Sequence, residues 1–499
     1  MSSTFSLADL ANSGRNPALP FELVLPGGGT LRIERLLRVL PGRRYVGVGV
    51  WKKHGVERQV LAKLIVGAKA ERDLAREKRG SALLAEQGMD TPALLEDFFS
   101  AGEGGGVLFE YLEGAQSLGE RWKECESASD GDEVRTRIVY DALRAVAALH
   151  LKGLWQEDLH PDNLLYQGGR LRLVDAGGIR AETPGLPLDP EKVLENLGVF
   201  FAQLPSKIEA SLQKWLEVYA KINPSCRARL DLRALRASID RARRRRIRDF
   251  LKKTRRDCSL FRVEKSGPFG AFGFCAVRRD DADALARILA DPDAFIARGH
   301  IYKTGGTATV ARVEDGGRAF VVKRYNIKNF RHWIGRFWRP SRASTSWREG
   351  NRLVALGIPT AKPMAMIERR WLGLRGTAFL ITECLEGRDI MACFRDEPAA
   401  GAPALEVGVC ALRELFAALR RERIAHGDFK GSNLIWQGGE TRGSWALIDL
   451  DAMRVVASAS GFARATARDR DRLLRNWPED SPLFRALNES IPPNADEEN

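Results

Sequence analysis

A chain of 499 residues is longer than one hydrophobic core usually serves, so two or more domains are expected, each burying its own interior. With 44% hydrophobic and 29% charged residues the composition is that of a soluble globular protein, and no apolar run approaches the ~18 residues of a membrane-spanning helix. The formal net charge of +14 suits an anionic partner, for which nucleic acid, an acidic membrane face and phosphorylated glycolipid all qualify. The 7 cysteines are scattered without a CxxC and the 6 histidines form no HxxxH, which argues against a disulfide framework and a dedicated zinc site.

In chain order, MSSTFSLADLANSGRNPALP lacks the basic start and apolar block of a secretory signal, so reduced thiols in a cytoplasm are expected. LRVLPGRRYVGVGVWKK and ERQVLAKLIVG alternate and are rich in Val, which predicts antiparallel strands. RDLAREKRGSALLAEQG predicts a helix ending at Gly88. The amphipathic RTRIVYDALRAVAALHLKG then leads into the polar loop WQEDLHPDNLLY and the strand LRLVDAGG. A basic segment, RASIDRARRRRIRDFLKKTRRD, predicts a helix at a domain junction, as a solvated face or brace rather than a nucleic-acid patch.

The second half repeats the series. HIYKTGGTATVARVEDGGRAFVVKRYN predicts strands with GG turns, SWREGNRLVALG a helix ending at Gly357, and LEVGVCALRELFAALRRERI a longer helix. AHGDFKGSNLIW and the strand WALIDLDA follow. Lys63, Asp158, Asn163 and Asp175 match Lys323, Asp428, Asn433 and Asp449 at a nearly constant offset, the behaviour of a duplicated domain. The expected organisation is domain 1 over residues 1–240, a basic helical junction over 241–258 and domain 2 over 259–499, each domain a β-rich part followed by a helical part.

The four matched positions suit phosphoryl transfer from ATP, in which positioning and charge neutralisation dominate. A strand lysine can hold phosphate oxygens, and a loop aspartate can orient or accept a hydroxyl proton. The asparagine five residues on, and an aspartate closing an apolar strand, are oxygen ligands suited to Mg²⁺. His150 reads as a core or helix-end histidine, and Asp451 as a solvated turn residue rather than a second metal-side carboxylate.

The DxxxxN loop followed by an apolar strand and Asp resembles the protein-kinase-like fold, an α+β class of two lobes, here in two tandem bilobal copies. HGDFKGSNLI and EDLHPDNLL are similar to the bacterial branch that phosphorylates small molecules and sugars. KRYNIKNFRHWIGRFWRPSRASTSWREG and LGIPTAKPMAMIE resemble, within it, the lipopolysaccharide core kinases of heptose or Kdo. The resemblance implies that Lys63 and Lys323 hold the α/β-phosphates, that Asp158 and Asp428 are catalytic bases, and that Asn163, Asp175, Asn433 and Asp449 are metal ligands. Glu77 stands where such kinases place the glutamate that pairs with the lysine, and Glu349 is the nearest acid to that position in the second half. His160 and Lys430 follow their aspartates where this fold often places a group touching the transferred phosphate. Gly47, Gly49, Gly305 and Gly306 are the candidates for covering the phosphates, since neither half has a clean GxGxxG.

Two departures stand out. Gln156-Glu157-Asp158 replaces His-Gly-Asp in the first half, and Ser346 stands in the helix of the second half where a glutamate would be. A basic-aromatic block with Arg331, Trp333, Arg336, Trp338 and Arg339 suits contact with lipopolysaccharide or a membrane surface. The expected protein is a cytoplasmic kinase, peripheral on the anionic inner-membrane surface, using ATP and Mg²⁺ on a sugar of the lipopolysaccharide core, with nucleic acid disfavoured as a partner. The alternatives are a kinase for protein or another small molecule, or a pseudokinase scaffold binding nucleotide or lipopolysaccharide without turnover.

Overall fold

The computed structural model describes residues 3–125, 131–265, 273–326, 340–371, 374–395 and 401–491. The chain divides into two compact units, Met1–Arg246 and Ile247–Asn499. The basic helix starts already at Leu232 and ends at Lys253, so the division falls inside it.

The first unit opens on a 7-stranded sheet. Its order is Ser3–Phe5, Phe21–Val24, Thr30–Leu40, Arg44–Lys53, Val56–Val66, Gly104–Glu110 and Leu94–Ser100. Only the first pair is parallel. Strand alternation explains its two faces. On Val56–Val66, the buried Val60, Ala62 and Leu64 point into a core with Leu31, Ile33 and Tyr45. Leu61 and Ile65 point the other way, onto Ala70 and Leu74 of the helix Ala70–Glu86. Lys63 shares that second face. The helix ends just before Gly88, whose φ of +66° only glycine adopts freely, which is why the sequence signal lay there.

Below the sheet the unit is mainly helical, with Gly131–Leu151, Pro190–Phe201, Leu212–Ile222 and Leu232 onward packed around Val139, Leu143, Leu197 and Phe200. The hairpin Leu164–Gln167/Arg170–Leu173 and the short pair Leu154–Gln156/Ile179–Ala181 fix the loops between.

The second unit has its own 7-stranded sheet, antiparallel throughout, in the order Phe261–Glu264, Phe274–Arg278, Pro363–Trp371, Leu374–Glu383, Arg318–Tyr325, Ala308–Asp315 and His300–Thr304. The helix Arg342–Leu356, N-capped by Ser341, holds the place that Ala70–Glu86 holds in the first unit. The helices Leu405–Arg421, Ala459–Leu474 and Pro482–Ser490 enclose a core with Leu412, Phe416, Leu473 and Leu487. In both units the later of the two strands after the helix inserts beside the lysine strand. The additional strands lie on opposite edges, outside Thr30–Leu40 in one unit and beside Pro363–Trp371 in the other. Each unit is α+β.

Candidate active site

Both lysine strands put their lysine at the same register. Lys63 pairs with Val46, and Lys323 with Val310, each near the tip of the adjoining hairpin. In the second unit that tip is Gly305-Gly306, as expected, with the Gly305 N–H donating to Ala308 O at 3.1 Å. In the first unit the expectation needs correcting. Gly47 and Gly49 lie inside the strand Arg44–Lys53, opposite Leu36 and Ile33, where the neighbouring strand shifts register. An added Cβ would sit 2.7 Å from Arg35 O at Gly47 and 2.2 Å from Arg32 O at Gly49, so close backbone approach requires these glycines. The hairpin tip is instead Pro41-Gly42-Arg43, with Gly42 at φ +65°.

In the first unit Lys63 Nζ lies 2.8 Å from Glu77 Oε2 and 2.8 Å from Asp175 Oδ1. Glu77 is 1% exposed and also receives the Gly177 N–H at 3.2 Å and Arg44 at 3.5 Å. This closeness depends on Gly80, where a Cβ would meet Ala176 O at 1.8 Å. Burial alone would raise the Asp175 pKa, but Lys63, with Arg44 and Arg38 nearby, holds the carboxyl below its usual range.

In the second unit Lys323 Nζ contacts Asp449 and lies 3.4 Å from Asp451. Burial works against its charge, but Tyr325, Asp449 and Asp451 more than offset it and push the ammonium pKa up. Asp449 is held down by Lys323 against the effect of its own burial. Glu349 is not the partner of Lys323. Its oxygens pair with Arg348 and Arg352, each at 2.7 Å, and its side chain is fully buried. The helix face towards the lysine strand carries Ser346, hydrogen-bonded to the Tyr325 hydroxyl at 3.0 Å. Asp451, read from sequence as a solvated turn residue, is the second carboxylate at Lys323, and Arg342 holds it in place.

The two polar loops have one geometry. Asn163 Nδ2 donates to Asp158 O at 2.8 Å and Asn433 Nδ2 to Asp428 O at 2.9 Å. Asp175 (φ 65°, ψ 59°) and Asp449 (φ 61°, ψ 56°) share a left-handed backbone that non-glycine residues seldom adopt. In the second unit His426 Nδ1 accepts the Asp428 N–H at 3.3 Å and Nε2 donates to Ile448 O at 3.1 Å, which assigns a neutral tautomer. Burial, which lowers its pKa, agrees. In the first unit Gln156 spans the same gap, its Nε2 donating to Val174 O at 2.9 Å and Asp175 O at 3.1 Å. The apparent departure at Gln156 therefore keeps the tie between the polar loop and the aspartate strand. Glu157 turns to Arg76 at 3.1 Å and Arg180 at 2.7 Å.

A helix residue anchors each loop from behind. Asp469 accepts the N–H groups of His426 (2.7 Å) and Gly427 (2.9 Å). Asn196 donates to Gln156 O at 2.7 Å, and its carbonyl lies 3.0 Å from His150 Nε2. His150 is a core histidine, fully buried and bonded to Tyr219 at 2.7 Å, with its pKa lowered to about 4 by burial. Neither anchor was visible in spacing, since both come from a later helix. Asp428 itself lies 2.9 Å from Lys430 Nζ and 2.5 Å from Arg472. Asp158 is exposed, and His160 caps its own turn by accepting the Asp162 N–H at 3.1 Å. Arg331, Trp333, Arg336, Trp338 and Arg339 lie outside the described residues.

No curated protein matches the chain. A solved structure titled "WaaP in complex with acyl carrier protein" aligns at 17% identity and a TM-score of 0.32, covering 43% of this chain and 87% of that one. Residues 297–485 match the lipopolysaccharide kinase (Kdo/WaaP) family. The matched stretch carries Lys323, Asp428, Asn433 and Asp449, and members of that family are kinases.

Proposed function

We propose that each unit is a bilobal kinase-like domain, the two standing in tandem, and that the second transfers the γ-phosphate of ATP to a heptose or Kdo hydroxyl of the lipopolysaccharide core. The observation that carries this reading is the constellation seen in both units: a strand lysine on a left-handed aspartate, beside an asparagine tied to the loop aspartate.

Asp428 takes the acceptor's proton as its oxygen bonds to the γ-phosphorus. The bond from that phosphorus to the β–γ bridging oxygen breaks, and ADP leaves with the electron pair. Lys430, 2.9 Å from Asp428, is placed to neutralise charge on the transferred group. Lys323 holds the α/β-phosphates under the Gly305-Gly306 tip, and Lys63 does so in the first unit. The donor set fits Mg²⁺, since Asp449 and Asn433, like Asp175 and Asn163, offer hard oxygens. A bound Mg²⁺ would neutralise phosphate charge and align the nucleotide. No helix among the described residues is long and apolar enough to cross a membrane. The proposed location is the cytoplasmic face of the inner membrane, with the charge of +14 attracting the protein to its anionic surface.

For the first unit one observation favours nucleotide binding without transfer. His160 is turned into its own loop by the Asp162 N–H, so Asp158 lacks a counterpart of Lys430, and the cation near it is Arg246, from a later helix. The test is labelled-phosphate transfer from Mg-ATP to dephosphorylated core lipopolysaccharide, comparing wild type with Asp158→Asn and Asp428→Asn. Transfer should fall ~10²–10⁴-fold in Asp428→Asn, the usual contribution of a general base. Full activity in both variants refutes the assignment of the bases.

A further inference from the structure

Beside Asp428 the second unit has a cavity of about 250 Å³, the size of a small polar group, lined by Arg454, Arg468, Arg472, Arg475, Asp469 and Gly427 among others. Three of the arginines recur at a spacing of four and three residues along the helix Ala459–Leu474 and its cap, so they share one face. Arg454 reaches the same cavity from the short strand that follows Asp449. Like charges so placed repel one another. The helix C-terminus favours Arg472 and Arg475, but Arg468 and Arg454 lie beyond that effect.

The acids at hand offset this charge only in part. Asp469 attracts Arg454 but also accepts two backbone N–H groups of the polar loop, one carboxylate among four guanidiniums. Among the described residues no carboxylate forms an ion pair with Arg454, Arg468 or Arg475. Arg472 alone has one, and its partner is Asp428, the proposed base.

We infer that this cavity is an acceptor subsite for an oxyanion, a phosphate monoester or a carboxylate carried near the hydroxyl that is phosphorylated. The inference rests on the proposed sugar-kinase reading and specifies its acceptor as an anionic one. The guanidiniums bind the acceptor's oxyanion through paired N–H bonds. Arg472, which also pairs with Asp428, places the bound oxyanion beside the loop of the proposed base. A neutral acceptor lacks the group these guanidiniums bind and is selected against.

The first measurement is calorimetric titration of inorganic phosphate into the full chain saturated with a non-hydrolysable ATP analogue, which keeps phosphate out of the nucleotide sites. Wild type should bind phosphate, and Arg468→Gln/Arg475→Gln should bind it at least tenfold more weakly with nucleotide affinity unchanged. Equal phosphate binding by the two proteins overturns the subsite. The second is steady-state transfer to three acceptors: intact core glycolipid, the same with its phosphates removed, and the same with its carboxyls reduced to alcohols. The acceptor whose KM rises tenfold in wild type, and no longer differs from intact glycolipid in the double variant, identifies the oxyanion. Unchanged KM for both altered acceptors also overturns the subsite. If wild type transfers to none of them while the double variant loses phosphate binding, the subsite stands and the lipopolysaccharide reading falls.

Discussion

Replacing Lys63 with Met should destabilise the first unit far more than Lys323→Met destabilises the second. Lys63 is the 2.8 Å partner of Glu77, a carboxylate 1% exposed. Removing one partner of a buried ion pair typically costs about 3–5 kcal/mol, because the other charge is stranded out of water. Arg44, at 3.5 Å and a quarter exposed, recovers part of this, so we expect the lower end of the range. For a unit of this size each kcal/mol moves the midpoint by roughly 2–4 °C, so the first-unit transition should drop by about 6–12 °C. Lys323 faces Asp449, whose side chain is 31% exposed and can recover solvation, while Asp451 keeps Arg342. Its loss should cost about 1 kcal/mol or less, as for ion pairs open to solvent. Differential scanning calorimetry of wild type and both variants measures this. A third variant, Lys63→Met/Glu77→Leu, removes the stranded charge and should recover most of the loss. Equal shifts in the two single variants, or no recovery in the double, would refute the argument.

The neutral His150 predicts an acid-sensitive first unit. Its pKa is lowered to about 4 when folded against about 6.5 when unfolded, so the unfolded chain binds the extra proton. Its share of stability is therefore complete above pH ~6.5 and is lost as the pH falls from there towards 4. Guanidinium unfolding at pH 7.5 and pH 5 should show a steeper loss for wild type than for His150→Gln, and matching slopes would contradict this. Gln156→His should keep the first unit's stability and nucleotide affinity, whereas Gln156→Ala leaves Val174 O without its donor and should cost about 1–3 kcal/mol. Chemical denaturation with nucleotide titration separates the two, and equal behaviour of Ala and His would remove the role given to Gln156.

Much of the site was legible because its signals are local. Strand alternation placed Lys63 and Lys323, the glycines after the two helices marked their ends, and five-residue spacing put Asn163 and Asn433 where they bond their own loops. Gln156 looked like a loss because sequence shows the residue type and not the carbonyl it reaches. Gly47 and Gly49 looked like a phosphate cover because a glycine needed under a register shift and one needed at a loop tip read alike.

The sequence by itself determined the β-rich part followed by a helical part in each half and their mixed α+β class, and it singled out the lysine, loop aspartate, asparagine and strand aspartate proposed as the site. These follow from periodicity and short spacings, in which the chain's own geometry sets who faces what. Only the tertiary structure decided which carboxylate meets Lys323. Asp449 stands 126 residues from it and Asp451 128, whereas Glu349, much nearer in sequence, is turned to arginines on its own helix. The same holds for Asp469 and Asn196 behind the loops and for the arginines beside Asp428. Such pairings depend on how separate segments pack in space, and charge partners are then chosen by proximity in a low-dielectric interior, which no local pattern records.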